Sequence, residues 1–490
     1  MVRSLLLTII ISLFTIFDYL RMLMFHKKLF YLLIIGFLTP YLANAQYATG
    51  CLVDSAKYME VPMSAPLMRG DYKVPSSASL KEYCPTPGDQ GNWGTCTAWS
   101  AAYASRTILY AKRKNISGKE AITNMAFSPS YVYNQIKITG DCFYGAYISE
   151  ALYLLKVQGC LPFKEFGYEC DREVKASEKA RAGRFVIQDY KRLFMYGANT
   201  NPTGGIVKVV KKSLSEGKPV VVSMLCFASL EKAKGIWNPP TSNDTNKGHH
   251  AMTVIGYDDN KFGGAVEIMN SWGPAWGNEG FIWIKYSDFE KNCVEAYELG
   301  DFPADAIDNR PEQEVFFAGE VSFKKSDGQV MSASLKNGIY KMKQNYYSGT
   351  AFQFFVSHQE PIYMYAVGAD LSNKFSVLFP YDKFISPLLS YKRGTIAFPS
   401  EDHFLQLDQT KGSDFVCVLY SKKPLDIEDL VKRMENGAGS IKDRVYQAIG
   451  NKAVIPSQTQ YKQDKIGFSV KTNKSEQVLV VPLIIEIEHQ

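Results

Sequence analysis

The most informative segment of the chain reads Gln90-Gly91-Asn92-Trp93-Gly94-Thr95-Cys96-Thr97-Ala98-Trp99-Ser100. Its two glycines indicate a loop that leads into a helix, because small or apolar residues recur at 98, 101, 102, 105, 108 and 109. A cysteine at a helix N-terminus meets unpaired backbone N–H groups and the positive end of the helix dipole. Both favour the thiolate, which is the nucleophilic form. We therefore predict that Cys96 is a catalytic nucleophile, rather than an inert core thiol or half of a disulfide.

Two later segments supply a histidine and an asparagine: Gly248-His249-His250-Ala251 and Glu267-Ile268-Met269-Asn270-Ser271-Trp272-Gly273. If 251–257 and 264–270 pair antiparallel around the turn 258–263, residue 257 faces 264 and residue 250 faces about 271. This pairing predicts that His250 and Asn270 lie side by side at one end of a sheet. An asparagine carbonyl that accepts from one ring nitrogen fixes the tautomer and leaves the other nitrogen aimed at a nucleophile.

Two further residues complete the constellation. Trp272 can cover the hydrogen bond between His250 and Asn270, and Gln90 with the backbone N–H of Cys96 can donate to a developing oxyanion. Plainer alternatives exist: His249 is the base, Asn270 caps a turn, or Gln90 is simply an exposed loop residue. We favour the catalytic interpretation because all the required groups occur together.

These segments resemble the papain-like cysteine peptidases over roughly residues 74–300. The likeness lies in the motifs Gln-Gly-x-x-Gly-x-Cys-x-Ala, His-Ala-x-x-x-x-Gly-Tyr and Asn-Ser-Trp-Gly-x-x-Trp-Gly. The resemblance implies an α+β fold with a helical lobe and a β-barrel-like lobe. It implies Gln90 as oxyanion donor, Cys96 as nucleophile, His250 as general base and acid, and Asn270 as the orienting residue. Gly145, Ala251 and Trp272 are implied in substrate binding, and no cofactor or metal is expected.

Some positions depart from the family pattern. Trp93 stands where papain has a cysteine, so Cys142, which resembles that cysteine's partner, is either free or paired elsewhere. Thr97 replaces the tryptophan that usually follows the nucleophile. Tyr144 occupies the first position of the Gly-Gly pair that binds substrate backbone, so only Gly145 matches that pair.

The order of local patterns agrees with two lobes. Helical spacing comes first, at 97–112, from Ser128-Pro129 to about 137, and near 147–158. Strand-like segments follow at 219–225, 251–257, 265–269 and 280–285. Helices first and strands later predict a helical lobe and a sheet lobe with a cleft between them.

The N-terminus predicts export. A secretory signal is formed by His26-Lys27-Lys28, the apolar run Leu29–Leu38 and Ala43-Asn44-Ala45, with cleavage after Ala45. Met22 or Met24 is an alternative start, and a retained anchor is the alternative to cleavage. We expect a short leader at 46–73. Because only 44 residues separate Gln46 from Gln90, a helical inhibitory propeptide of the kind common in this family does not fit, and we expect no latency by that route.

Composition and cysteine usage agree with an exported enzyme. The 490 residues are 46% hydrophobic and 21% charged, which excludes a disordered chain, and the net charge of +6 gives no reason to expect nucleic-acid binding. All nine cysteines follow the cleavage site and so belong to the exported part of the chain, in which disulfides can form. Because nine is odd, at least one thiol stays free of an intramolecular bridge. Cys226 and Cys417 lie in strand-like segments and are expected in the core. Spacing alone leaves the connectivity open.

The C-terminal half predicts a separate β-rich domain. Residues 301–311 interrupt every periodicity and indicate a linker. Strands are predicted at 314–322, 351–357, 361–367, 375–379, 395–398, 414–420, 466–471 and 477–487, and helices near 427–436 and 440–450. Segments such as 362–367 and 416–421 resemble a small bacterial module that is appended to peptidases and kinases. The predicted domains are therefore a peptidase at 74–305 and a targeting or binding domain at 306–490.

We predict an exported bacterial cysteine peptidase that acts on protein or peptide substrates through a Cys96–His250 thiolate–imidazolium pair and an acyl-enzyme. We expect it in the periplasm, at the cell surface or outside the cell, without a membrane span after signal cleavage. One alternative is transpeptidase-like acyl transfer at the same site, and another is a silent papain-like binding or adhesion protein. The peptidase prediction requires an accessible sulfur, because a sulfur that is enclosed by packing or bridged cannot attack.

Overall fold

A computed structural model describes residues 47–64, 74–194, 205–239, 243–302, 315–389, 394–452, 459–472 and 479–490. The predicted signal peptide, the alternative starts and most of the predicted linker lie outside these residues. The chain divides into two units, Met1–Tyr47 and Ala48–Gln490, and the second holds every described helix and strand. Within the described residues, no helix combines the length and the apolar character that a membrane span requires.

Local sequence signals set the helix boundaries. Ser128 accepts a hydrogen bond from the backbone N–H of Tyr131, and Pro129 takes the first helical position of the predicted helix. The helix predicted near 147–158 ends just before Gly159, whose φ of +82° favours glycine. The helices are α1 Ser55–Glu60, α2 (below), α3 Lys119–Asn124, α4 Pro129–Ile136, α5 Ile148–Val157, α6 Phe163–Phe166, α7 Ala176–Ala182, α8 Gly205–Ser215, α9 Tyr286–Asn292, α10 Ile427–Asn436 and α11 Ile441–Ile449.

Helix α2 begins at Cys96, as the glycine loop predicts. It has three continuous parts, Cys96–Ala98, Trp99–Arg106 and Thr107–Arg113, of which the middle part is wound as a π-helix. Every residue of Trp99–Arg106 is buried. Wider π-type turns are rare and are frequent near functional sites, so this central helix is both the core of its lobe and the support of Cys96.

An eight-stranded sheet forms the second lobe. Its strand order is β4-β10-β5-β7-β8-β9-β6, with β2 paired to β7, and β1 pairs separately with β3 in parallel. The strands are β1 Cys51–Leu52, β2 Ser77–Ser79, β3 Ala146–Tyr147, β4 Asp189–Arg192, β5 Val220–Phe227, β6 Ile236–Trp237, β7 Asn246–Asp258, β8 Ala265–Met269, β9 Phe281–Lys285 and β10 Cys293–Gly300. All four strands predicted in this part of the chain are present.

The hairpin of β7 and β8 forms, but the predicted register is wrong. Tyr257 pairs with Val266 rather than with residue 264. The turn begins one residue later than expected because Asp258 stays in the strand, where it pairs with both Ala265 and Ser77 of β2. A bulge next to Val254 then changes the register further along the strands. β7 extends beyond its last pair with β8, and His250 in this extension still lies beside Asn270.

The C-terminal region, residues 315–490, contains two seven-stranded sheets. Their orders are β19-β15-β11-β23-β22, with β12 and β20 at the side, and β13-β14-β24-β21-β16-β17, with β18 at the side. The strands are β11 Val315–Lys325, β12 Val330–Met331, β13 Ala333–Lys336, β14 Ile339–Met342, β15 Ala351–His358, β16 Ile362–Ala369, β17 Phe375–Phe379, β18 Leu388–Leu389, β19 Gly394–Phe398, β20 Leu405–Gln406, β21 Gly412–Ser421, β22 Thr459–Tyr461, β23 Gly467–Thr472 and β24 Val480–His489.

One large core fills the space between these two sheets, and a second core lies under the helices. The first contains Phe323 and Phe354 from one sheet with Val418 and Leu483 from the other. In the second, α10 and α11 pack against the faces of β16 and β21 that point away from the first core. All eight predicted strands and both predicted helices of this region are present. The short strands β12, β13, β14, β18, β20 and β22 were not predicted, because segments of two to four residues carry almost no periodicity.

Candidate active site

The glycine loop leads into α2, whose first residue, Cys96, lies in a buried core. Its side chain is fully buried and forms no disulfide, and Sγ accepts a hydrogen bond from the backbone N–H of Ala251 at 3.4 Å. The N–H of Gly94 donates to the carbonyl of Cys142 at 2.8 Å, which fixes the glycine loop against the segment that contains Cys142. The expectation of an accessible sulfur is therefore wrong for this state of the chain.

His250 and Asn270 form the predicted hydrogen bond. Nε2 of His250 lies 2.7 Å from Oδ1 of Asn270. An amide oxygen only accepts, so Nε2 carries the hydrogen and Nδ1 is the free position of the neutral ring. The ring of Trp272 stacks on His250 with centroids 4.7 Å apart, and Trp276 meets Trp272 edge-on. Trp272 thus covers the hydrogen bond, as the sequence suggests, while His249 is only half-buried outside it.

The predicted ion pair between Cys96 and His250 is not formed. Nδ1 of His250 has no hydrogen-bond partner among the described residues. Burial raises the pKa of the Cys96 thiol to about 11, against weaker lowering by the N–H groups of Ala251 and Gly50. Burial also lowers the pKa of His250 to about 4, and the hydrogen bond to Asn270 only partly opposes this. Desolvation thus penalises the charged form of each group, which disfavours the ion pair.

Gln90 is buried and its amide is held at both ends. Its Oε1 accepts from the hydroxyl of Ser271 at 2.6 Å, so Nε2 is directed into the site. Nε2 donates to the carbonyl of Trp93 at 2.7 Å and to that of Ala48 at 3.1 Å. The donor predicted for an oxyanion is thus already bound to a carbonyl oxygen of the chain's own leader.

The leader runs through the site beside Gly145. The N–H of Ala146 donates to the carbonyl of Gly50 at 3.0 Å, and β1 continues this contact as a parallel ladder with β3. Nε1 of Trp272 donates to the carbonyl of Ala48 at 3.2 Å. Gly145 and Trp272, which were predicted to bind substrate, therefore contact the leader, and Ala251 contacts the Cys96 sulfur.

Three supporting residues were not predicted from the sequence. Tyr168 donates to the carbonyl of Gln90 at 2.8 Å and accepts from the hydroxyl of Thr95, and its ring lies 4.9 Å from that of Trp93. Thr97 donates to the carbonyl of Ala146 at 3.0 Å. Ser271 lies inside a motif that the sequence shows, so its contact with Gln90 was within reach. Tyr168 gives no such signal, because it lies far from the other residues in sequence.

The cysteines resolve one alternative left open by the sequence. Cys142 is re-paired, in a disulfide with Cys170. The other seven cysteines are free and buried, among them Cys226 and Cys417, which lie in the core as predicted. The disulfide closes the loop that carries Tyr144 and Gly145.

Part of the chain is similar to known cysteine proteases. Residues 75–299 match the family model of the papain family cysteine proteases. These residues form a papain-family cysteine peptidase domain. The chain is 25% identical over 235 residues to cathepsin K of Mus musculus, an alignment that covers 47% of this chain and 65% of that protein. It is 26% identical over 209 residues to a peptidase C1-like protein of Acanthamoeba polyphaga mimivirus, covering 40% of this chain and 63% of that protein.

Among solved structures, xylellain from Xylella fastidiosa is similar to this chain with a TM-score of 0.43 and 20% identity, covering 53% of this chain and 97% of that one. The chain thus spans less than two thirds of the first curated relatives it matches. The predicted α+β class and papain-like fold are confirmed for the papain-family domain, and an additional β-rich region follows it.

Proposed function

We propose that this protein is a cysteine peptidase that hydrolyses peptide bonds with Cys96 as nucleophile. The observation that carries the proposal is one arrangement: Cys96 begins a central helix, and Ala251, the neighbour of His250, donates to its sulfur. Asn270 holds the His250 ring so that the unprotonated Nδ1 is left for proton transfer.

The chemistry follows from these positions. Nδ1 of His250 takes the proton of the Cys96 thiol, and the sulfur attacks the carbonyl carbon of a bound peptide. The oxyanion accepts from Nε2 of Gln90 and from the backbone N–H of Cys96. His250 then protonates the leaving amine, and water hydrolyses the thioester to free the enzyme. Asn270 holds the ring in its working tautomer throughout.

Substitution of the nucleophile tests this proposal. The full chain is incubated with a mixed peptide library, and the products are identified by mass spectrometry for wild type, Cys96→Ala and Cys417→Ala. Cys417 is also a buried free thiol, but it lies in the C-terminal region, so its variant controls for loss of a core cysteine. We expect hydrolysis by wild type and Cys417→Ala only. Equal hydrolysis by Cys96→Ala would refute the assignment.

Two alternatives remain outcomes of further assays. Acyl transfer would join an added amine to the acyl product instead of water. A silent binding protein is favoured by the full burial of Cys96, and it would show no Cys96-dependent product even where the sulfur reacts with iodoacetamide.

We also propose export and a two-domain organisation. The signal pattern that ends at Ala45 supports secretion, and the disulfide Cys142–Cys170 agrees with an oxidising compartment. The proposed domains are the peptidase at 74–305 and the β-rich domain at 306–490, and the bacterial origin is inferred from the module resemblance. Mass spectrometry of the secreted protein, with Gln46 as the expected first residue, tests the cleavage site.

A further inference from the structure

The leader segment at 48–64, here called the strap, contacts the catalytic residues at one end and the C-terminal region at the other. Its first residues lie on Gln90, Trp272 and Cys96. Its last residues form main-chain hydrogen bonds with both the papain-family domain and the C-terminal region. Each end has its own contacts, and together they suggest what the C-terminal region does.

At the catalytic end, the strap occupies groups that a substrate would use. The carbonyl of Ala48 takes the Nε2 donor of Gln90. Nε1 of Trp272 donates to the same carbonyl at 3.2 Å. A substrate carbonyl that is to accept from Gln90 must first displace Ala48. The strap therefore occupies the oxyanion donor in place of a substrate.

The fit at this end depends on glycine. A Cβ added to Gly50 would lie 2.3 Å from the carbonyl oxygen of Gly94, and one added to Gly145 would lie 2.2 Å from the carbonyl oxygen of Gly50. Both distances are far below a van der Waals contact, and the obstacles are backbone atoms that cannot rotate away. Three backbones therefore pass one another with no room for a side chain on Gly50.

The middle of the strap is anchored by α1. Asp54 caps this helix by accepting from the backbone N–H groups of Ala56 and Lys57. Tyr58 on α1 is fully buried, with its ring 5.2 Å from that of Tyr297 and 5.8 Å from that of Phe194. The opposite side of α1 is exposed at Ala56.

The distal end inserts Met63 as a short strand between the two regions. The N–H of Met63 donates to the carbonyl of Phe384 at 2.6 Å, and the N–H of Ser386 donates to the carbonyl of Met63 at 3.0 Å. On the other side, Arg192 of β4 donates from its backbone to Pro62 at 3.1 Å. The Met63 side chain packs against the main core of the C-terminal region.

We propose that the C-terminal region is an internal clamp, which grips the strap at Met63 and thereby keeps Ala48 on Gln90 and Gly50 beside Gly145. The proposal rests on the proposed peptidase function and adds its regulation. The leader slows the chain's own hydrolysis of substrates without abolishing it, and the C-terminal domain serves the same chain rather than only an outside partner.

Alkylation of Cys96 tests the clamp without relying on catalysis. The full-length variants Gly50→Val and Met63→Asp are compared with wild type and with Ala56→Asp, which places the same charge on an exposed strap residue. Iodoacetamide labelling of Cys96 is followed by mass spectrometry, and library hydrolysis is measured in parallel. We expect labelling to rise at least tenfold in Gly50→Val and in Met63→Asp and to stay at the wild-type rate in Ala56→Asp.

The outcomes separate the two proposals. Faster labelling without hydrolysis in Gly50→Val would refute the peptidase function and leave the strap in place. Cys96-dependent hydrolysis that is equally fast in wild type and both variants would refute the strap and leave the function. Faster labelling in Gly50→Val but not in Met63→Asp would refute the clamp alone.

Two further measurements guard against misfolding. If circular dichroism shows that Met63→Asp is unfolded, Ser386→Pro removes the N–H that donates to Met63 from the other side of the contact. In addition, a synthetic peptide of residues 48–64 is added to folded Gly50→Val. We expect it to slow Cys96 labelling at least fivefold, whereas the same peptide with valine at position 50 leaves the rate unchanged. Equal effects of both peptides would contradict the glycine fit.

Discussion

Ser271 donates its hydroxyl hydrogen to Oε1 of Gln90 across 2.6 Å, and this bond decides which end of the Gln90 amide enters the site. Because a hydroxyl donor selects the amide oxygen, Nε2 is left for the oxyanion. The residue that follows Asn270 thus positions the donor on the opposite lobe.

Loss of this contact has a measurable cost. In Ser271→Ala the Gln90 amide is free to flip, and a net hydrogen-bond contribution of about 0.5–1.5 kcal/mol predicts that kcat/KM falls about two- to thirteenfold. When Ser271→Ala is added to Gly50→Val, in which the strap is expected to be displaced, the rate of Cys96 alkylation should not change. Alkylation uses no oxyanion donor. Ser271→Thr, which keeps the hydroxyl, is the control. An unchanged kcat/KM in Ser271→Ala would show that Gln90 is held by other contacts.

Asn270 is predicted to matter for both rate and stability. Asn270→Ala leaves Nε2 of the buried His250 ring without its acceptor. We expect kcat to fall at least about tenfold, since general acid–base catalysis contributes about 10²- to 10⁴-fold. Unfolding by urea should show a loss of about 1–3 kcal/mol for the unpaired buried group.

The matched control is Asn292→Ala. Asn292 is equally buried and its side chain also makes a hydrogen bond, to the carbonyl of Asp288 on α9. It should lose stability and keep its kcat. A similar loss of kcat in both variants would mean that stability, not the His250 tautomer, limits the rate.

Acid should weaken the fold through Glu298. Its carboxylate is buried, accepts from the hydroxyls of Ser64 and Ser213, and faces Lys218 at 3.9 Å. Burial alone would raise the pKa of Glu298, but the charges of Lys218, Lys191 and Lys212 outweigh it and lower the pKa from 4.5 to about 2.

A lowered pKa in the folded state means that the unfolded chain binds the proton first. The stability that the ionised Glu298 contributes is therefore complete above about pH 4.5 and is lost as the pH falls toward 2. Urea unfolding at a series of pH values should show this slope in wild type. Glu298→Gln should be less stable at neutral pH and should lack this part of the slope. A parallel pH dependence in both proteins would exclude Glu298 as the source.

The disulfide Cys142–Cys170 should stabilise the loop that carries Gly145. Removing it, in the double variant Cys142→Ser with Cys170→Ser, is expected to cost about 2–4 kcal/mol by freeing the unfolded chain. Dithiothreitol should lower the urea midpoint of wild type to that of the double variant and leave the latter unchanged. An effect of dithiothreitol on the double variant would point to another bridge.

Much of the catalytic arrangement could be predicted from local sequence. The pairing of His250 with Asn270 survives a wrong register, because β7 extends past the bulge to the edge where β8 ends. The start of α2 at Cys96 follows from the glycine loop and helical spacing. Both features depend only on short-range sequence patterns and on one hairpin, so they could be predicted from the sequence.

The features that were missed depend on contacts between distant segments. Nothing in Ala48-Thr49-Gly50-Cys51 has a period or a charge pattern that indicates a binding partner, yet it lies on Gln90 and Gly145. The expectation of no latency considered only a helical propeptide, whereas an extended segment needs far fewer residues. The sequence also does not show what covers the sulfur, so it gives no sign of the burial that disfavours the charged forms of Cys96 and His250.

The close passage of Gly50, Gly94 and Gly145 has a consequence for how such chains can change over generations. A side chain gained at Gly50 would release the enzyme from its own restraint, so selection against uncontrolled proteolysis should act on a residue that takes no part in catalysis. Gly94 and Gly145 come under the same pressure, because a Cβ on either would also meet backbone atoms.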